Sequence, residues 1–228
     1  MNLSGKFLVV DGIDGAGKGT QLDRLEAWIT GQGGSCVRAR DPGGTAIGDR
    51  IRHVLLDFDL SQMDPACEAL LFMASRAQLV AEVVRPALAS GKTVLCDRFI
   101  SATCAYQVAA GFPLEKVLEL GRLAVGDTWP DLTIVLDVPP QIGFARLGRK
   151  PGQSAPRRNS TAPGQTTLFD GGVSDAMERR PADFHRRVRE LFLELPKVYP
   201  RPVVVVDGAP APEVVFAQVQ EAVRRAFG

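Results

Sequence analysis

Nine consecutive residues near the start of the chain, Gly12-Ile13-Asp14-Gly15-Ala16-Gly17-Lys18-Gly19-Thr20, combine small residues, an ammonium and a hydroxyl in an order suited to phosphate. Glycines let successive backbone N–H groups turn inward on phosphate oxygens, a following helix contributes its positive end, and Lys18 supplies a point charge for the β- and γ-phosphates. This is the pattern of a P-loop, which needs a strand before it and a helix after it. The bland alternative is a glycine-rich turn that binds nothing. Ser or Thr usually follows the lysine, but this chain has Gly19, so the direct hydroxyl ligand for magnesium is missing while Thr20 still reaches a phosphate.

The elements around this loop supply the required context. Short β-branched runs at Lys6–Asp11, Ser35–Ala39, Thr93–Asp97, Leu132–Val138 and Val203–Asp207 read as strands. Runs such as Phe7-Leu8-Val9-Val10 and Val203-Val204-Val205-Val206 are apolar without interruption, as expected of strands covered on both faces. Helical patterns lie between them at about Thr20–Thr30, Ala46–Leu55, Pro65–Ser90, Ser101–Ala110, Leu114–Val125, Pro140–Arg149, Pro181–Leu195 and Pro212–Phe227. The alternation predicts an α/β fold with a parallel sheet and right-handed crossovers. Ligands in such folds sit beyond the carboxyl ends of the strands. The candidates there are Asp11 and Asp14, Arg40-Asp41-Pro42-Gly43-Gly44, Asp97-Arg98-Phe99, and Asp137.

A length of 228 residues, with 45% apolar and 23% charged, fits one generous globular domain and excludes collagen-like, disordered and membrane-spanning classes. The net charge of +1 makes no case for binding nucleic acid or anionic membrane. Its distribution is uneven. Arg146 to Arg201 holds 12 Lys/Arg against 6 Asp/Glu, a basic segment suited to an anion site. Cys36, Cys67, Cys96 and Cys104 have no paired spacing and predict reduced, mostly buried thiols of a cytoplasmic protein. From Lys150 to Ser174 the chain is rich in Pro, Gly, Ser, Thr and Gln, which reads as a flexible insertion in a lid at about 146–180.

Gly12 to Thr20, Asp41-Pro42-Gly43-Gly44, Asp97-Arg98-Phe99 and Ala105-Tyr106-Gln107, in this order and spacing, resemble the thymidylate kinase family of nucleoside monophosphate kinases. The resemblance implies a P-loop NTPase-type five-stranded parallel sheet with helices on both faces. It also implies magnesium ATP as donor, dTMP as acceptor, dTDP as product and a homodimer. Asp97 is then the partner for hydrated magnesium, Arg98 and Arg52 grip the acceptor phosphate, and Asp14 orients the acceptor's sugar and phosphate. Gly15 stands where some members carry an arginine, which directs that role to lid arginines Arg146 and Arg149. Ala176 stands where an Arg is common. Arg157, Arg158, Arg179 and Arg180 are read as a solvated basic face.

The acceptor base is implied by two helical faces. Phe72 and Arg76 are four apart, and the resemblance has Phe72 stack on thymine and Arg76 bond its carbonyl edge. Thr103, Tyr106 and Gln107 fall at i, i+3 and i+4, with the polar residues toward the base and the tyrosine ring against the sugar's 2′ position. Two departures from the family are Ala102 for Ser and Phe99 for Tyr or His. Within the insertion, Gln165-Thr166-Thr167-Leu168-Phe169 is similar to peptides that dock on the bacterial sliding clamp, an expectation of weak contact. Two other readings stay open: a kinase for another nucleoside monophosphate, and a non-catalytic nucleotide-binding adaptor.

Overall fold

Strands β1 (Phe7–Asp11), β2 (Cys36–Arg40), β3 (Thr93–Asp97), β4 (Leu132–Asp137) and β5 (Val203–Asp207) form one parallel sheet in the order β2-β3-β1-β4-β5. A computed structural model describes residues 2–57, 63–148 and 180–228. Every residue of β1 is buried, whereas the edge strands β2 and β5 are partly exposed. Parallel neighbours cannot be joined by tight hairpins, so helices make the crossovers and cover the sheet. They are α1 (Lys18–Gly31), α2 (Ala46–Asp57), α3 (Pro65–Leu79), α4 (Arg85–Ala89), α5 (Ile100–Ala109), α6 (Leu114–Val125), α7 (Pro140–Arg146), α8 (Ala182–Val198) and α9 (Pro212–Phe227). None among the described residues is long and apolar enough to cross a membrane.

One expected helix is interrupted. The pattern from Pro65 to Ser90 continues through a wider π-helical turn at Val80–Val84, where the Arg85 N–H donates to the Val80 carbonyl. Pro86 explains the change, because it has no N–H and its ring crowds the carbonyl of Glu82, four residues back. Helix α1 starts at Lys18, two residues earlier than its pattern suggested, since Gly17 at φ 93° closes the loop immediately before it.

The register aligns the site. Val10 lies beside Asp97 of β3, and Asp11 beside Val135 of β4, so the P-loop leaves the sheet level with Asp97 and Arg98. Phe99 is fully buried and meets Phe7 edge to face at 5.0 Å. Fully burying a side chain of this kind stabilises the fold by about 1.5–3 kcal/mol, which anchors the turn bearing Arg98. That burial also accounts for an apolar ring at Phe99, because no water is available there for a polar tip. The four cysteines are free, with Cys96 and Cys104 buried, Cys36 half-buried and Cys67 exposed.

Candidate active site

The P-loop is closed against α7. Gly15 has φ +75°, and a Cβ placed there would lie 2.0 Å from the Gly143 carbonyl oxygen, so no side chain fits at this position. The Lys18 Nζ donates to the carbonyls of Ile13 at 3.0 Å and Gly12 at 3.3 Å, and it lies 3.9 Å from Asp14. Burial and the nearby Arg98 charge lower the Lys18 pKa below the usual lysine range, against the opposing pull of Asp14, Asp97 and Asp11. Gly15 to Gln21, Asp97, Arg146, Gly208 and Pro212 are among the residues lining one cleft over this loop. The Arg146 guanidinium donates to the carbonyls of Gly208 at 2.9 Å and Ala209 at 2.7 Å, which fixes it on this side.

A second cleft opens on the other side of Lys18. Asp14, Lys18, Asp97 and Arg98 line its phosphate end, with Arg52, Phe72, Arg76, Thr103, Tyr106 and Gln107 beyond. Arg98 has φ 65°, an uncommon backbone conformation for a residue with a side chain. Its guanidinium donates to the Gly12 carbonyl at 3.1 Å, reaches Asp11 at 3.5 Å and pairs with Asp14. Burial raises the Asp14 pKa, but Arg98 and Lys18 outweigh it and hold the carboxyl below the usual aspartate range. Asp11 is driven the other way by burial despite Arg98 and a 2.6 Å bond from the Ser101 hydroxyl. Asp97 and Arg98 do not pair with each other among the described residues; Arg98 faces the second cleft, while Asp97 lines both.

The far end of this cleft is built by α3 and α5. Arg76 is 1% exposed and donates to Asp41 at 2.6 Å, the Phe99 carbonyl at 3.0 Å and the Thr103 hydroxyl at 3.2 Å. Asp41 thereby joins the site as the arginine's buried counterion. Removing either member of such a pair typically costs about 3–5 kcal/mol. Gln107 donates to Glu68, which also receives Arg180. Arg52 donates to the Pro42 carbonyl at 2.9 Å.

Two expectations change. Asp137, at a strand end, is held by Arg189 through bonds of 2.6 and 2.8 Å and lines neither cleft, so it is a structural pair. Arg180 is not a solvated cation, because it sits on the buried Glu68 carboxylate and over the Phe184 ring, 4.6 Å from its centroid. Arg149, Ala176, Arg157, Arg158, Arg179 and Gln165-Phe169 lie outside the described residues. Glu68 and Ser101 were missed. Glu68 stands four residues before Phe72 and eight before Arg76, so the spacing that joins those two also reaches it.

A divalent ion fits beside Asp97. Its Oδ1 is buried and receives no hydrogen bond among the described residues, as a carboxylate oxygen awaiting a cation or a hydrated cation would. No group of three His, Cys, Asp or Glu residues capable of holding a metal occurs among them, so phosphate oxygens and water would complete the shell. A Cβ at Gly19 would meet nothing within 4 Å.

A P-loop at the end of a central parallel strand, with a cation-lined cleft on either side of its lysine, defines a phosphoryl transferase working between two phosphorylated ligands. The family profile described as thymidylate kinase matches residues 10–219. A thymidylate kinase of Desulfosudis oleivorans is 40% identical over 210 residues, covering 91% of this chain and 92% of its own. Those of Pelobacter propionicus and Deinococcus radiodurans are 42% and 38% identical, covering 90% and 96% of this chain and 87% and 96% of theirs. This chain belongs to the thymidylate kinase family.

Proposed function

We propose that the chain transfers the γ-phosphoryl of ATP to dTMP, giving ADP and dTDP. The observation that carries this reading is that Lys18 and Asp97 line both clefts, so the two phosphate chains would meet across shared groups. ATP lies along the P-loop, its phosphates on the backbone N–H groups and Lys18. The dTMP phosphate is gripped by Arg98 and Arg52, its thymine stacks on Phe72, and Arg76, Thr103 and Gln107 face the base edge. Asp14, kept ionised by Arg98 and Lys18, orients the sugar and phosphate. Tyr106 crowds the 2′ position. Magnesium, held through Asp97, would compensate charge on the ATP phosphates.

A phosphate oxygen of dTMP attacks the γ-phosphorus in line, and the bond to the β-phosphate oxygen breaks. The nucleophile's second ionisation lies near pH 6, so no general base is needed. The protein's work is to align two anions and compensate charge on the equatorial oxygens. Lys18 and Arg98 do so from the two clefts, and Arg146 and Arg149 are the arginines assigned to the transferring group.

One kinase domain over 1–228 is proposed, working in the cytoplasm, with the lid at about 146–180. Exposed Ile47, Leu70 and Leu123 on α2, α3 and α6 support pairing as a homodimer, which sedimentation tests. Gln165-Phe169 is proposed as a weak sliding-clamp contact. Titration of the Gly164–Gly171 peptide against purified clamp tests it, and no shift at millimolar concentration ends it. A kinase for another nucleotide and a non-catalytic adaptor find no support in the relatives named above. Coupled ADP release with dTMP, dUMP, AMP and CMP tests the main reading, which fails if AMP or CMP is preferred.

A further inference from the structure

Glu68 is 1% exposed, and a carboxylate so deep in a protein is costly unless its oxygens are paired. Arg180 approaches its two oxygens at 2.9 and 3.3 Å, and the Gln107 Nε2 donates to Oε1 at 3.0 Å. Stability alone does not call for this arrangement, since apolar side chains of similar volume commonly replace buried ion pairs at no loss. The carboxylate supplies direction instead. It has no hydrogen to give, so the Gln107 amide must turn its NH2 toward Glu68 and leave its carbonyl oxygen for other partners. Gln107 is itself 1% exposed and lines the acceptor cleft.

We infer that Glu68 is a positioning residue that fixes the Gln107 amide with its acceptor toward the cleft, selecting a base with a protonated ring nitrogen over cytosine. The inference rests on the reading of Gln107 as a base contact. Thymine and uracil carry a hydrogen at N3, whereas cytosine carries a lone pair there. An amide oxygen facing that lone pair leaves two buried acceptors opposed, a mismatch that polar sites reject strongly. The Arg180 guanidinium keeps the carboxylate charge compensated, so the amide orientation is set by the protein's own groups.

The test compares kcat/KM for dTMP, dCMP and N3-methyl-dTMP in the native protein and in Glu68→Gln, whose amide can face Gln107 either way. The dTMP-to-dCMP ratio is expected to fall roughly 10- to 100-fold, mainly through KM for the acceptor, with KM for ATP unchanged. On a Gln107→Leu background the same change should leave the ratio where it is. An unaltered ratio in a folded Glu68→Gln protein overturns the inference. If the native protein does not discriminate against N3-methyl-dTMP, the base-contact reading itself has failed. Should Glu68→Gln not fold, NMR of glutamine-labelled native protein decides. The Gln107 amide protons should keep their Overhauser contacts to Glu68 with dTMP bound, and contacts to the thymine ring in their place would sink the inference.

Discussion

The Arg98 guanidinium lies over the Tyr106 ring, 5.0 Å from its centroid, and the two side chains converge on opposite oxygens of the Asp14 carboxylate. Stacking, two carboxylates and the Gly12 carbonyl thus hold the arginine before any substrate arrives. Arg98→Ala should lower kcat/KM for dTMP by about 100-fold or more, because it removes a charge-assisted grip and leaves Asp14 less compensated. Arg98→Lys should recover little of it, since an ammonium cannot serve a phosphate and the carboxylates from one planar fork. Steady-state kinetics with varied dTMP check both.

Tyr106 is 5% exposed and packs between Phe184 and Phe192, so its ring has little room to move away from the cleft. Tyr106→Leu is expected to reduce discrimination against the ribose form of the acceptor by roughly tenfold and to cost about 2–4 kcal/mol of stability. Tyr106→Phe keeps the ring and should keep the sugar preference. Activity with the deoxy and ribo nucleotides, alongside melting curves, separates the two effects.

Gly15→Ala should be severe, because this half-buried loop residue packs its backbone directly against α7. Its φ of +75° and the Gly143 oxygen 2.0 Å from a new Cβ force the P-loop away from α7. A loss of about 2–4 kcal/mol is expected, lowering the melting temperature by roughly 5–15 °C. Turnover should fall with it. An arginine introduced at the same position is excluded for the same reason.

Gly19→Ser, by contrast, should be accommodated, because the surroundings of Gly19 are open. Replacing glycine in the first turn of α1 is expected to stabilise the fold by about 0.4–1 kcal/mol. The new hydroxyl should also lower the magnesium concentration needed for half-maximal activity. Magnesium titrations of ADP release and thermal melts check the pair of outcomes.

The lowered Lys18 pKa sets an alkaline limit. Protonated Lys18 is the form that binds phosphate, so kcat/KM for ATP should decline at a pH below the ordinary lysine range. Asp14 opposes that lowering, so Asp14→Asn should move the decline to still lower pH. Bound triphosphate adds negative charge beside the ammonium and should move the limit in kcat upward. Rate profiles for the native protein and the variant check the direction; a decline that moves upward in Asp14→Asn contradicts it.

What the sequence determined by itself was local. The glycine spacing before Lys18, the apolar run of β1 and the four-residue steps from Phe72 to Arg76 and Thr103 to Gln107 depend on backbone preferences over a turn or two. Those preferences act within a few residues, so they are readable without knowing the fold. The strand-end rule offered Asp137 and Asp97 alike, and only packing separated them, since Arg189 of α8 arrives at one and not at the other. The partners of Arg98 lie 84 and 87 positions back along the chain, and Arg180 is 112 positions from Glu68. Encounters at such separations follow from strand order and helix docking, in which every element must bury its apolar face at once, and no window of sequence contains that constraint.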